Sequence, residues 1–307
     1  MAGSKFRPDR GLTTRMVTTM GLLVLVYAAF VVGLVLVGLN VWLVLLIVAG
    51  FALFSYFASD RIAMFAMGAK EVSPEQAPEL HALIDRLCAM ADMSKPRVGI
   101  ADTDVPNAFA TGHNEKSAVV CVTTGLMRRL DGPELEAVLA HELSHIAHRD
   151  VMVMTVAGFL GIVAGFLTQA GLRFAMFAGA TRGNNNNGPA PAVVALLVVA
   201  VSAVAWALSF LLTRALSRYR ELSADRAAAY LTGRPSVLGS ALTKITGDMS
   251  RIPTRDLRQA EPFNAFFFAP ASSREGFSFS QLVATHPPVQ QRLEQLSDIS
   301  RQLGQGR

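Results

Sequence analysis

Between Met16 and Ser59 the chain carries no charged side chain. As one helix this run would be about 66 Å long, roughly twice the ~30 Å hydrocarbon thickness of a bilayer. Gly38-Leu39-Asn40 lies near its middle and suits a tight turn. The run therefore reads as two transmembrane helices, Met16–Val37 and Val41–Phe57, forming a hairpin at 16–57 behind a basic tail at 1–15. Two further uncharged runs follow. Val151–Leu172 ends at Arg173, and Ala192–Leu212 ends at Thr213-Arg214, with the polar stretch "TRGNNNNGPAP" before the second. They make a second hairpin at 151–212. Only 17% of the residues are charged, against about 25% in soluble domains. Four such spans in 307 residues argue against buried helices of a large soluble core. A cleaved signal peptide fits poorly as well, because the first run is too long and shows no small-residue cleavage site.

Basic residues set the expected orientation. Lys5, Arg7, Arg10 and Arg15 precede the first span, Arg61 and Lys70 follow the second, Arg149 precedes the third, and Arg214, Arg218 and Arg220 follow the fourth. The opposite side has an uncharged turn near Asn40 and a loop with only Arg173 and Arg182. Both termini and the remaining sequence are thus expected in the cytoplasm. This bias explains much of the formal charge of +5. No basic stripe interleaved with aromatics indicates nucleic acid. Cys88 and Cys121 lack metal-site spacing and suit a reducing compartment as small buried hydrophobes.

The polar sequence comes in two pieces, 58–150 and 213–307, which can share one mainly α (α+β) core. In the first, Ser73, Pro74 and Gln76 mark a helix start, with Leu80, Leu83, Ile84 and Leu87 on one face. "RVGIA" and "SAVVCVT" read as strands with "NAFATG" between them, and "GHNEK" supplies hairpin-turn chemistry. Asp131 and Glu134 open a capped helix through "LEAVLAHELSHIAHRD", expected to continue into the third span. In the second piece "RALSRYRELSADRAAAYL" is a helix leaving the membrane and stopping near Gly233. Helices are expected at Val237–Gly247 and Gln290–Leu303, with an irregular stretch from Arg251 to Pro288.

The chemistry concentrates in "HELSH". His141 and His145 are four apart on a helix, so they share a face and lie about 6 Å apart along the axis. Two imidazoles at that spacing can meet one Zn²⁺ at about 2.1 Å from each nitrogen. Glu142 sits about 100° further round, beside such an ion without binding it. There it can accept a proton from a water that the ion acidifies.

A catalytic zinc needs a third protein ligand and an open position. Glu221 is one candidate, with Asp225 four residues on and on the same face to hold the second N–H of a ligand histidine. On spacing alone these acids could equally pair with Arg218, Arg220 or Arg226. His148 is the other candidate, but reaching the ion would require bending the helix. The pattern H-E-x-x-H-x-x-G-x-x-H is absent, because its glycine position is His148 and its last histidine position is Val151. His145 lies six residues before the third span and Glu221 nine residues after the fourth. Continuous helices would keep both within roughly 15 Å of the membrane surface, so the second hairpin returns the chain to where it left.

"PNAFATG", "HELSH", "SRYRELSAD" and "THPPVQQRL", with these membrane helices, resemble the HtpX-type membrane metalloproteases of family M48 over essentially the whole chain. The resemblance implies a gluzincin-type catalytic domain on four transmembrane helices, holding one Zn²⁺ per chain through His141, His145 and Glu221. It implies Glu142 as catalytic base and Asp225 as the acid behind a ligand. It also implies a bacterial inner-membrane protein whose substrates are misfolded or damaged membrane proteins. His286 matches a family histidine near the site and could stabilise the oxyanion; a helix-start turn set by Pro287 and Pro288 is the plainer reading. Asn107 and Phe109, in "PNAF", match a family strand beside the cleft and become candidate substrate-binding residues; the plainer reading of Asn107 is a turn after Pro106. The segment "EPFNAFFFAPASSREGF" departs from the pattern, and its Phe263, Phe266, Phe267 and Phe268 could meet lipid, line the cleft or pack. His81 and His113 read as surface or structural residues.

Three other classes compete. A non-catalytic adaptor with a structural zinc would normally use a fourth protein ligand, usually Cys. A transporter would carry ionisable residues within its spans. A prenyl-protein endoprotease shares the chemistry, but four spans are few to enclose such a substrate.

Overall fold

The structure, a computed structural model, describes residues 10–36, 67–112, 117–180, 191–249 and 286–305, with scattered positions between 40 and 65. Its elements are α1 (Arg10–Leu36), β1 (Ala69–Glu71), α2 (Pro78–Ala91), β2 (Arg97–Ala101), β3 (Ala108–Thr111), β4 (Val119–Thr123), α3 (Thr124–Arg129), α4 (Gly132–Ala147), α5 (Asp150–Ala180), α6 (Pro191–Thr232), α7 (Pro235–Met249) and α8 (Val289–Gln305). The chain divides into two compact units. One comprises Met1–Met16, Phe57–Met152 and Ser217–Arg307, the other Val17–Tyr56 and Val153–Leu216.

In the second unit, three helices among the described residues are long and apolar enough to cross a membrane: Arg10–Leu36, Ala157–Met176 and Ala192–Thr232, the first and last extending beyond it. Of the four expected spans, Val41–Phe57 lies largely outside the described residues. Phe30 and Leu34 pack with Phe159, Val163, Val198 and Ala205. Contact is close because glycines face side chains: a Cβ on Gly33 would meet Val201 Cγ1 at 2.8 Å, and one on Gly171 would meet Val199 Cγ2 at 2.8 Å. Small residues permit such approach where helices gain nothing from excluding water. The Tyr27 hydroxyl and the Thr213 hydroxyl both donate to the Ala157 carbonyl.

The first unit is helical around a four-stranded sheet of order β1-β2-β4-β3. β2 and β4 are parallel, while β1–β2 and β3–β4 are antiparallel. β4 lies inside the sheet and is buried throughout, which suits its apolar run Val119–Val122. Val120 and Val122 share a core with Ile84, Leu139, Leu143 and Leu242. Both cysteines are buried, and burial pushes their thiols up to about 11 for Cys88 and about 12 for Cys121. Inert buried thiols are the result.

Two helix limits differ from the sequence reading. α2 begins at Pro78 rather than Pro74. Ser73 N–H donates to Gln76 Oε1 at 2.8 Å, but within a turn. Pro78 disfavours helical geometry at Ala77, which adopts φ −142°, and the helix restarts after it. α4 does not continue into the third span. It ends at Ala147, and Arg149 adopts φ 55° before α5 starts at Asp150. The expected helices after Gly233 and before the C-terminus are α7 and α8. The irregular stretch expected from Arg251 lies outside the described residues up to 285, as does His113.

α4 is held at its start by a complete capping box. Asp131 Oδ1 accepts from Glu134 N at 2.9 Å, and Glu134 Oε2 accepts from Asp131 N at 3.2 Å. Glu134 also accepts from Ser240 Oγ and Lys244 Nζ of α7, each at 2.7 Å. One residue thus satisfies orphan helix N–H groups and ties α4 to α7. Leu139 and Leu143, fully buried, point one face of α4 into the core. His141 and His145 emerge about 200° further round.

Candidate metal centre

Four elements build the centre: α4 supplies His141, Glu142 and His145, the first residue of α5 supplies Asp150, α6 supplies Arg220, Glu221 and Asp225, and α8 with the turn before it supplies Arg292 and His286. All nine side chains are buried. His141 and His145 stand edge to face with centroids 4.8 Å apart, as four-residue spacing on a helix requires.

The outer nitrogen of each ring faces an acid. His141 Nδ1 lies 2.9 Å from Asp225 Oδ1, and His145 Nδ1 lies 2.6 Å from Asp150 Oδ2. Burial opposes ionisation of both acids. Arg292 nevertheless holds Asp225 below the ordinary carboxylate range, and Arg220 together with His145 holds Asp150 well below it. An ionised carboxylate only accepts, so both Nδ1 atoms carry protons.

That leaves the Nε2 lone pairs for the centre, and they converge. The two Nε2 atoms are 3.1 Å apart, His145 Nε2 is 3.4 Å from Glu221 Oε1, and His141 Nε2 is 3.6 Å from Glu221 Oε2. Donor atoms of His141, His145 and Glu221 all lie within 4.8 Å of one another. A tetrahedral ion with bonds of about 2.0–2.1 Å separates its ligand atoms by about 3.3 Å, so the triangle fits one. The same acceptors also favour protonation of the rings. Burial favours the neutral form of His145, yet hydrogen bonds to Asp150 and Glu221 outweigh it and push the ring up to about 10. Burial likewise opposes the charge on Glu221, but His286 and both ring partners keep it well below the usual range.

Glu142 differs from the other acids. Burial dominates and raises its pKa, the direction a general base near neutrality requires. His286 Nδ1 lies 3.0 Å from Glu221 Oε2. It thereby faces the Glu221 carboxylate, a role the sequence reading did not consider. Asn107 is fully buried before β3, its N–H donating to Thr123 Oγ1 at 2.9 Å and its carbonyl accepting from Thr123 N at 2.9 Å. Phe109 turns into a small cluster with Ala101 and Cys121, whereas Ala108 and Ala110 join the core around α4. Alternation along a strand thus puts Phe109 on the sheet face away from α4. His148 is exposed at the end of α4, outside the triangle of His141, His145 and Glu221. His81 is buried, with Nε2 3.0 Å from the Val72 carbonyl, which suits the structural reading.

Sequence reasoning passed over Asp150 and Arg292 and treated Arg220 as a juxtamembrane charge and a surface partner. Arg292 is fully buried and grips Asp225 with two bonds of 2.6 Å, Nε to Oδ2 and Nη2 to Oδ1. Its signal was position: it falls six residues after His286 in "THPPVQQRL". Asp150 had a weaker signal, an acid directly ahead of an apolar run.

A buried His-His-Glu triangle beside a buried acid, on a chain with helices fit to cross a bilayer, is the arrangement a membrane metalloprotease requires. The comparisons make the family specific. The sequence matches "Peptidase family M48" over residues 74–300. It is 55% identical to "Protease HtpX homolog 1" of Streptomyces coelicolor, covering 98% of this chain and 97% of that protein. It is 50% identical to "Protease HtpX homolog" of Moorella thermoacetica over 97% of this chain and 98% of that one. The fold resembles the crystal structure of S. mikatae Ste24p at a TM-score of 0.55 and 18% identity, covering 88% of this chain and 62% of that one. The chain belongs to peptidase family M48 and is of the HtpX type.

Proposed function

We propose that this chain is a zinc-dependent endopeptidase of gluzincin type that hydrolyses misfolded or damaged membrane proteins at the cytoplasmic face of a bacterial inner membrane. Its ligands are His141, His145 and Glu221, on a catalytic domain formed from 58–150 and 213–307 and anchored by spans in 16–57 and 151–212. One observation carries the metal reading: both Nδ1 atoms are committed to carboxylates, so both Nε2 lone pairs face Glu221. When bound, zinc supplies a Lewis acid that polarises the scissile carbonyl and acidifies a water. Glu142 takes the proton of the attacking water and returns it to the leaving nitrogen. Asp225 holds His141 in the tautomer that presents Nε2, and Arg292 keeps Asp225 ionised. His286 orients the Glu221 carboxylate in the resting site.

Purified Glu221→Ala is expected to lose stoichiometric zinc, read by metal analysis after dialysis. Full occupancy with unchanged affinity would point to another third ligand. The topology has its own test. Single cysteines at Asn40 and Arg301, in a background lacking Cys88 and Cys121, should react with an impermeant maleimide from opposite sides of the membrane. Reaction of both from the outside would overturn the cytoplasmic assignment.

A further inference from the structure

We propose that Asp150, clamped by Arg220, is a positioning residue for the ligand His145, so that α6 holds that histidine from both sides. The inference rests on the metal reading above.

The backbone is shaped for this contact. Arg149 takes a left-handed φ of 55° between α4 and α5, a conformation that is strained for a non-glycine residue. The turn sends Asp150 back over the last turn of α4, where Oδ2 lies 2.6 Å from His145 Nδ1. Its other oxygen is 3.0 Å from Arg220 Nε. Asp150 is 2% exposed and Arg220 8%, so neither charge has water to fall back on. Arg220 Nη2 also lies 3.5 Å from His145 Nδ1, so the guanidinium packs on the same side of the ring as the aspartate.

Arg220 directly precedes Glu221 on α6. One helical turn therefore meets His145 twice: Glu221 Oε1 approaches Nε2 at 3.4 Å, and Arg220 reaches Nδ1 through Asp150. His141 has an equivalent support built from different elements, Asp225 of α6 and Arg292 of α8. Each histidine thus has its own carboxylate, and each carboxylate its own arginine. Fixing the Nδ1 proton fixes which nitrogen is free for a metal and raises its basicity.

A plainer role competes. Asp150 stands at the N-terminus of α5, where an acid stabilises any helix. That role would shift folding stability but leave metal affinity untouched.

Zinc affinity of the full chain in detergent, measured by competition with a chromophoric chelator, separates the two, with melting of the chelated protein as control. Asp150→Asn keeps shape but loses the charge that holds the Nδ1 proton, so zinc should bind about 10–100-fold more weakly. Arg220→Gln should lose several-fold, and adding it to Asp150→Asn should cost little more, because it acts through Asp150. Wild-type zinc affinity in Asp150→Asn, with only the melting temperature lowered, overturns the proposal in favour of the helix-end role. Should Asp150→Asn not fold, Arg220→Gln decides, and unchanged affinity there overturns the proposal as well. A wild-type chain that binds no zinc overturns both this proposal and the metal reading, whereas failure here alone leaves the triangle of His141, His145 and Glu221 standing.

Discussion

Glu142→Gln should retain zinc and fold while losing proteolysis by about 10²-fold or more, the scale of a lost general base. Gln is nearly isosteric with Glu but cannot accept the proton of an attacking water. Glu142 lies outside the triangle of His141, His145 and Glu221, so metal content should not change. Its raised pKa has burial as the leading cause, and Gln occupies a buried site without that cost. The variant should therefore melt no lower than wild type. Glu142→Asp keeps the charge and withdraws it by one methylene, so an intermediate loss is expected. Cleavage of an unfolded membrane protein, with zinc content measured on the same preparations, provides the reading. A zinc-loaded Glu142→Gln chain cleaving at the wild-type rate would remove Glu142 as the base and favour a zinc-binding adaptor. A variant that loses its zinc would make Glu142 a structural part of the centre.

The parts of this centre that were legible in the sequence are those fixed by local periodicity. A four-residue spacing on a helix dictates that His141 and His145 share a face and that Glu142 does not. The same holds for Glu221 and Asp225 on α6. Apolar runs longer than a bilayer is thick stand out because no ordinary core helix needs them, and α1, α5 and α6 appear where three of them were expected. What escaped depends on the third dimension. Arg292 reads as one of three polar residues in "QQR", yet it is among the most buried side chains of the fold. Only the arrival of α8 against α6 makes it a partner of Asp225. Asp150 was hidden by the expectation of a continuous helix, in which it would face away from His145. The positive φ at Arg149 reverses that, and nothing in "HRD" announces it, since a glycine would be the usual signal. Phe109 was misleading for the opposite reason. The match of "PNAF" to a family strand beside the cleft gives no face, and β3 alternation turns the ring away from α4.

Arg292→Met is expected to destabilise the catalytic unit by about 3–5 kcal/mol, the usual result of stripping one partner from a buried ion pair. Met preserves the length of the side chain and so isolates the charge. Arg292 is fully buried and bonds both oxygens of Asp225 at 2.6 Å, with Nη1 3.8 Å from Glu221 Oε2. Its removal leaves Asp225 with His141 alone. Arg292→Lys should rescue little, because an ammonium cannot match a carboxylate fork with two parallel bonds. The loss should depend on pH in a defined sense. Despite burial, Arg292 depresses the folded pKa of Asp225 below its unfolded value. The stabilisation is therefore complete above the unfolded value of about 4 and fades as pH falls toward the folded one. Wild type and variant should converge on the acid side of that window. Pairing Arg292→Met with Asp225→Leu removes both charges, so much of the melting temperature should return. Zinc affinity should not return with it, because His141 has then lost the carboxylate that fixes its Nδ1 proton. Thermal melts of the three variants with and without chelator, alongside zinc competition, would read both effects. A double variant that regains stability and zinc affinity together would mean that the Arg292–Asp225 pair serves only to hold α8 against α6.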